Sequence, residues 1–222
     1  MQKIRQLKRF NPKEGDPYFD LNISLSSELN KIKNNFIDKK ILDIGSGEVP
    51  FSEFYEGLNV HTCDIQQNSQ NTIDFIIKVD EVLPFKNECY DVIFIFDVLE
   101  HIRDDVSFIL DCKRILRKDG IIVSNTPFMY RFHEEPYDYR RYTPSGLKYI
   151  FEDVGKFKIK KLIPLGSVFF SASTLILERD FKLSLLRKVV YKIILFILNK
   201  LKSFDEVSSR SPFSYFVYAK KN

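Results

Sequence analysis

The sequence predicts an α/β protein built on a doubly wound, mostly parallel sheet. Strand-length apolar runs alternate with helical periodicity up to about residue 160. The strongest run, YDVIFIFDV at 90–98, is continuously apolar, as strands covered on both faces are. A second run, ILDIGSG at 41–47, ends in two glycines one residue apart, the kind of turn that lies at the ligand edge of such sheets.

Residues 1–22 read as an irregular lead-in punctuated by Pro12, Gly15 and Pro17. From Ile23, the spacing of Leu25, Leu29, Ile32 and Phe36 predicts a helix. Ile41–Ile44 is the first strand, and Pro50 suits the first turn of a following helix. GLNVHTCD gives a second strand ending at Asp64, and IDFIIKVD a third ending at Asp80. After the fourth strand, Phe108, Ile109, Cys112, Ile115 and Leu116 share a helical face, with Gly120 expected to close the helix. IIVSNTP is a fifth strand. Thr143 and Pro144 cap and start a helix expected to end at Gly155. KFKIKKLIPLG and SYFVYAKKN are the last two strands, and between them a helical insertion occupies 168–208.

A chain of 222 residues with 44% hydrophobic and 29% charged residues suits a single soluble domain over 1–222. A formal charge of +4 is too small to argue for nucleic acid, and no nucleic-acid partner is expected. Cys63, Cys89 and Cys112 are scattered and odd in number, which argues against a disulfide framework or a zinc knuckle; no metal site is expected. The charged start does not resemble a signal peptide, and Lys192 interrupts the best apolar run. The expected location is cytoplasmic.

Gly45 and Gly47 would let backbone N–H groups approach a ligand with no Cβ in the way. A dinucleotide fingerprint needs a small residue where Pro50 stands, and no GKS or GKT follows for a P-loop. Asp43, two residues before the first glycine, suits a cationic or amine-bearing cofactor better than a pyrophosphate. LDIGSG, Asp64, VDEVLPF and YDVIFIFDVLEHI, in that order, resemble the class I S-adenosylmethionine-dependent methyltransferases, in particular small-molecule enzymes whose fourth strand runs into VLEH. The resemblance covers about residues 38–160 and implies S-adenosyl-L-methionine as cofactor. It also implies a Rossmann-like seven-stranded sheet with its last strand antiparallel. By that resemblance, Asp43, Gly45 and Gly47 cradle the methionine end. Asp64 accepts both ribose hydroxyls, Asp80 and the backbone of Glu81 meet the adenine, and Asp97 lies near the sulfonium. Two features depart from the family pattern: Val49 stands where a third glycine is frequent, and the stretch between Asp80 and LPF is one residue short.

For the acceptor, the strand-four end FDVLEH is unlike the NPPY of nucleobase N-methyltransferases. The segment NTPFMYRFHEEPYDYRRYTPSGL at 125–147 follows strand five at the mouth of the crevice. His133, Pro136, Asp138, Tyr139, Arg141, Tyr142 and Thr143 resemble a subgroup linked to bacterial surface-glycan or lipid-intermediate biosynthesis. Methylation of a sugar, glycan or lipid-linked oxygen is therefore the expected activity. The alternatives are a quinone-type C-methyltransferase and a non-catalytic cofactor-binding scaffold. His133 is a candidate general base, with His101 and Asp97 as further catalytic candidates. Tyr139, Arg141 and Tyr142 are candidates for holding the acceptor, Arg141 through a phosphate or carboxylate. Equally, Asp138 and Arg141 pair and pin the loop, and Glu100 and His101 are a helix N-terminal acid and a satisfied histidine. In the insertion, Leu183, Leu186, Val190, Ile193, Ile197 and Leu201 form an apolar stripe opposite Lys188, Lys192 and Lys202. A basic amphipathic helix over 182–203 fits peripheral contact with an anionic inner membrane face, a cover for the sheet, or a homodimer contact.

Overall fold

The computed structural model describes residues 9–12, 18–78, 80–166, 171, 189, 190, 193 and 211–222. Seven strands form one sheet: β1 (Lys40–Ile44), β2 (Asn59–Asp64), β3 (Phe75–Ile76), β4 (Tyr90–Phe96), β5 (Leu116–Pro127), β6 (Phe157–Leu165) and β7 (Ser214–Lys221). Their order is β3-β2-β1-β4-β5-β7-β6. The first five pair in parallel, while β7 runs antiparallel to both β5 and β6. The chain leaves β1 towards β2 on one side, and β4 returns on the other. That reversal opens a crevice at the carboxyl ends of β1 and β4.

Alternation along the strands sorts the core into two layers. Ile41, Val92, Phe94, Val123 and Phe216 face one side, where α1 (Phe19–Ile32) supplies Leu21, Leu25, Leu29 and Ile32. With no tryptophan in the chain, phenylalanine fills this layer. Phe94 meets Phe36, Phe54 and Phe96 at centroid distances of 5.4, 5.8 and 5.4 Å. Leu42, Ile93, Ile95, Ile122 and Val217 face the other side. There α3 (Asp105–Ile115) contributes Ile109, Cys112 and Ile115, and α4 (Pro144–Lys148, continued by a π-helical turn Tyr149–Val154) contributes Leu147, Ile150 and Phe151.

Several elements differ from their sequence reading. The helix α1 begins at Phe19, so residues 19–22 of the expected lead-in are helical, and its last turn tightens into a 3₁₀ segment Lys33–Phe36. The helix after Pro50, α2, is one turn, Ser52–Tyr55, stopped before Gly57 at φ +78°. β3 keeps two paired residues instead of eight. At the sheet edge Phe75 and Ile76 are exposed and are the two residues that pair with β2, with the Phe75 ring against those of His61 and Phe85. Gly120 does not end α3. The helix stops at Ile115 and Leu116 pairs at once with Tyr90, while residues 117–120 form an irregularity before Ile121 pairs with Val92. The start of α4 is as read: Thr143 Oγ1 accepts from the Gly146 amide at 3.1 Å, with Pro144 next.

Of the 168–208 insertion, Ser171, Val189, Val190 and Ile193 are described, all helical. The rest of it, including the basic stripe, lies outside the described residues. Among the described residues, no helix is long and apolar enough to cross a membrane.

Candidate active site

A cavity of about 880 Å³ lies over the carboxyl ends of β1, β2 and β4. It is bordered by the 43–48 turn, by Asp64–Asn68, by Asp80–Leu83, and by Asp97, Val98 and His101. Burial dominates at its floor. Asp43 is enclosed, its carboxylate accepts from the Tyr55 hydroxyl at 2.7 Å, and Ser46 Oγ donates to its carbonyl at 2.8 Å. Burial pushes the Asp43 carboxyl up to about 7, against the pull of the Tyr55 and Ser46 hydrogen bonds.

The two glycines do different work. Gly45 has φ +73° and donates its amide to the Cys63 carbonyl at 2.8 Å. A Cβ there would sit 2.4 Å from Val98 Cγ2. Gly47 has φ +53° and open space where a Cβ would be, and its amide donates to Asp64 Oδ2 at 2.7 Å. Val49, in place of the expected third glycine, also lies at positive φ, +51°. It therefore carries left-handed strain that a β-branched residue rarely accepts. Accordingly, Gly45→Ala is expected to cost about 2–4 kcal/mol, from backbone strain plus the clash with Val98. Gly47→Ala should cost about 1 kcal/mol, from backbone strain alone. Chemical denaturation of both variants checks the difference.

Asp64 closes β2 with its carboxylate fixed by backbone: Oδ2 takes the Gly47 amide and Oδ1 its neighbour Ile65's amide at 2.6 Å. Each oxygen keeps a further lone pair towards the cavity rim. At that rim two large apolar residues stand in the open, Ile65 at 55% and Val82 at 75% exposure. Asp80 is beside them at φ +57°, and Glu81 is exposed and paired with Lys78 at 3.2 Å. At the other end Asp97, φ +54°, accepts from Asn125 Nδ2 at 2.6 Å and pairs with Arg9.

Next to Asp97, a 3₁₀ turn Leu99–His101 turns Glu100 inward and His101 towards the cavity. Glu100 is not a solvated helix-start acid, since its exposure is 0%. Burial first, then the charge of Asp97, holds its carboxyl well above the usual range. His101 Nδ1 lies 2.9 Å from the Tyr137 carbonyl, and its ring stands 4.8 Å, edge to face, from that of His133. Burial, then His101, lowers the His133 imidazole.

The expected acceptor residues do not gather at the cavity. Glu134 and Tyr137 line it, whereas His133, Tyr139, Arg141 and Tyr142 do not. Tyr142 gives its hydroxyl to Asp105 at 2.7 Å. The Tyr139 amide donates to the Glu100 carbonyl at 3.0 Å. Arg141 is held by Asp138 and by the carbonyls of Arg131 and Arg140 at 2.9 and 2.8 Å, the loop-pinning arrangement. Three contributors have no signal in the local sequence: Arg9, which is 88 residues from Asp97, Tyr55 under Asp43, and Asn125 on Asp97.

Comparison with known proteins matches residues 42–124 to the family described as a methyltransferase domain. That match and the strand order place residues 42–124 on the fold of S-adenosylmethionine-dependent methyltransferases. The sequence resemblance implies S-adenosyl-L-methionine as the cofactor. The cavity fits it: an enclosed acid for an ammonium, backbone-fixed acceptors for a diol, and open apolar faces for a ring. The chain is 30% identical over 134 residues to the ubiquinone biosynthesis O-methyltransferase of Parvibaculum lavamentivorans, covering 54% of this chain and 53% of that one. It is 27% identical over 151 residues to the protein of the same name from Glaesserella parasuis, covering 56% and 63%. The chain thus spans about half to just under two thirds of the length of these curated relatives. Its fold matches an S-adenosylmethionine-dependent methyltransferase of Archaeoglobus fulgidus at TM-score 0.58, with 18% identity, over 90% of this chain and 94% of that one.

Proposed function

We propose that this chain transfers the methyl group of S-adenosylmethionine to an oxygen of a small hydroxylated acceptor. One observation carries the reading: beyond Asp97 the cavity continues to His101, Glu134 and Tyr137, so an imidazole stands where an acceptor would meet the methyl group. When bound, the cofactor supplies an electrophilic methyl on a sulfonium. In the transfer a C–O bond forms as the C–S bond breaks, and the acceptor's proton must leave.

In this reading Asp64 takes the two ribose hydroxyls, and Ile65 and Val82 cover the adenine beside Asp80 and Glu81. The turn of Gly45 and Gly47 receives the methionine end, with Asp43 towards its ammonium. Asp97, braced by Asn125 and Arg9, borders the sulfonium. His101 accepts the acceptor's proton, with His133 behind it.

Asp43 gives the cofactor-binding half a pH signature. Below about 7 the free protein carries a proton on Asp43 that an incoming ammonium must displace. Affinity for S-adenosylhomocysteine is therefore expected to fall, approaching tenfold per unit, as pH drops below about 7, and to level off above it. Asp43→Asn should bind more weakly and show no such slope by calorimetry. The sign for stability is opposite: between about pH 4 and 7 the unliganded fold, which holds the proton longer than the unfolded chain, loses stability as pH rises.

Among oxygen acceptors, a sugar or lipid-linked hydroxyl is the first class to test and a quinone-precursor hydroxyl the second. The names of the two relatives support the second, and support oxygen over the ring carbon of a C-methyltransferase. Labelled S-adenosylmethionine, offered with panels of sugar, lipid-linked, phenolic and quinol acceptors, tests the reading. Label in a methyl ether supports it, and label on carbon replaces it with the C-methyl alternative. Tight cofactor binding with no product from any panel leaves a binding scaffold.

A further inference from the structure

We infer that Glu100, His101 and His133 form a site for one divalent transition-metal ion, of the zinc or manganese class, at the acceptor end of the cavity. One ligand atom from each of the three lies within 4.8 Å of the others. His101 Nε2 is already 3.7 Å from Glu100 Oε1. Ligands about 2.1 Å from a tetrahedral ion stand about 3.4 Å apart, so closure needs a shift of roughly an ångström, mostly in the His133 ring.

The inference does not rest on proximity alone. Glu100 is fully buried, and among the described residues neither of its carboxylate oxygens has a hydrogen-bond partner. A buried carboxylate left in that state is costly, and charge on a metal ion is one of the few things that repays it. The turn Leu99–His101 aims this carboxylate at the two imidazoles.

Both histidines are also oriented as ligands are. His101 Nδ1 faces the Tyr137 carbonyl at 2.9 Å, and His133 Nδ1 faces Asp138 Oδ2 at 3.0 Å and the Arg131 carbonyl at 3.2 Å. These partners only accept, so each Nδ1 carries the proton and each Nε2 presents a lone pair. Arg141 Nη2, at 3.5 Å from His133 Nδ1, is at the limit of a hydrogen bond and is committed to Asp138 at 2.8 Å. The Arg131 carbonyl thus fixes the ring, while Asp138 braces the segment by accepting the His133 amide at 2.9 Å and sets a negative charge 3.0 Å from Nδ1.

Glu100 is closed off, but both imidazoles retain some exposure, and His101 borders the cavity. Three protein ligands with open positions facing a cavity describe a catalytic rather than a structural metal centre. The role of the ion, unlike the site, rests on the oxygen-acceptor reading above. With its Nε2 on the ion His101 is a ligand and no longer the base: the ion would bind the acceptor hydroxyl, lower its pKa so that the proton passes to solvent, and hold the oxygen beside the methyl group.

The full-length chain, stripped with chelator, is titrated with Zn²⁺ by calorimetry and with Mn²⁺ by electron paramagnetic resonance. One ion per chain is expected. Glu100→Gln and His133→Ala should each weaken it by about 100-fold, and Asp138→Asn by about 10-fold. Retained S-adenosylhomocysteine binding shows that each variant is folded. No saturable ion, or an ion bound equally by Glu100→Gln and His133→Ala, overturns the site. Methyl ether formation by the metal-free chain at the full rate overturns the ion's role but leaves the oxygen-acceptor reading intact. A stoichiometric ion lost in both variants, with no methyl ether formed on any acceptor, supports the site while that reading fails.

Discussion

Replacing Asp64 with alanine is expected to weaken S-adenosylhomocysteine binding by at least about 100-fold, with little loss of fold stability. The side chain sits at the cavity rim, so its removal opens no hole in the core. Its oxygens anchor the Gly47 and Ile65 amides and keep lone pairs, which the proposed cofactor pose gives to two ribose hydroxyls. Hydrogen bonds to a charged acceptor contribute about 1.5–3 kcal/mol each, so losing a pair costs about 3–6 kcal/mol, or two to four decades of affinity. Asp64→Asn separates the two functions. Its amide oxygen can still hold the Gly47 amide, but it offers the diol no charge and one acceptor fewer. It should fall between wild type and Asp64→Ala. Calorimetry reads both, and affinity indifferent to Asp64→Ala would remove the ribose assignment and the proposed cofactor pose with it.

The contrast between the crevice residues at the strand ends, proposed to hold the cofactor, and the 125–147 loop has a physical basis. The 43–47 turn and Asp64 were legible because each is fixed by its own strand end. A parallel strand delivers its last residue to the crevice whatever the rest of the chain does. Asp43 and Asp64 follow from that rule, and so does Asp97 after β4. The element errors arise where local pattern met tertiary context. IDFIIKVD reads as eight residues of strand, but at the sheet edge only Phe75 and Ile76 pair with β2. Gly120 looks like a helix stop, yet Tyr90 captures Leu116 four residues earlier.

Loop residues carry no such rule. His133, Tyr139, Arg141 and Tyr142 have the composition of an acceptor loop, but composition does not say which way a side chain turns. Arg9 reaches Asp97 across 88 residues, and Tyr55 reaches Asp43 from the one-turn helix that follows the glycine turn. The burial of Glu100 was equally hidden, because a glutamate beside a histidine after a strand reads as a solvated helix start.

Arg141 supplies the second large effect. The Asp138 side chain is 1% exposed, and Arg141 grips both of its oxygens while also holding the Arg131 and Arg140 carbonyls. Burial alone would raise the Asp138 carboxyl, but the hydrogen bonds from Arg141 and the His133 amide, with the charge of Arg141, hold it down to about 2. Arg141→Met leaves that carboxylate buried without its cation and is expected to cost about 3–5 kcal/mol. Asp138→Leu combined with Arg141→Met removes both charges and should recover a large part of the loss in a double-mutant cycle. The depressed carboxyl also fixes a pH sign. Its contribution, about 2 kcal/mol, is fully present above about pH 4 and fades as pH falls through about 2, and Asp138→Asn should flatten that limb of the acid-unfolding curve. Because the same loop carries Glu134 and Tyr137 to the cavity and His133 to Glu100, releasing it should lower turnover more than cofactor affinity. Unchanged stability in Arg141→Met, with a raised KM confined to anionic acceptors, would instead mean that the guanidinium leaves Asp138 to clamp the acceptor, and the loop would be a binding element rather than a pinned support.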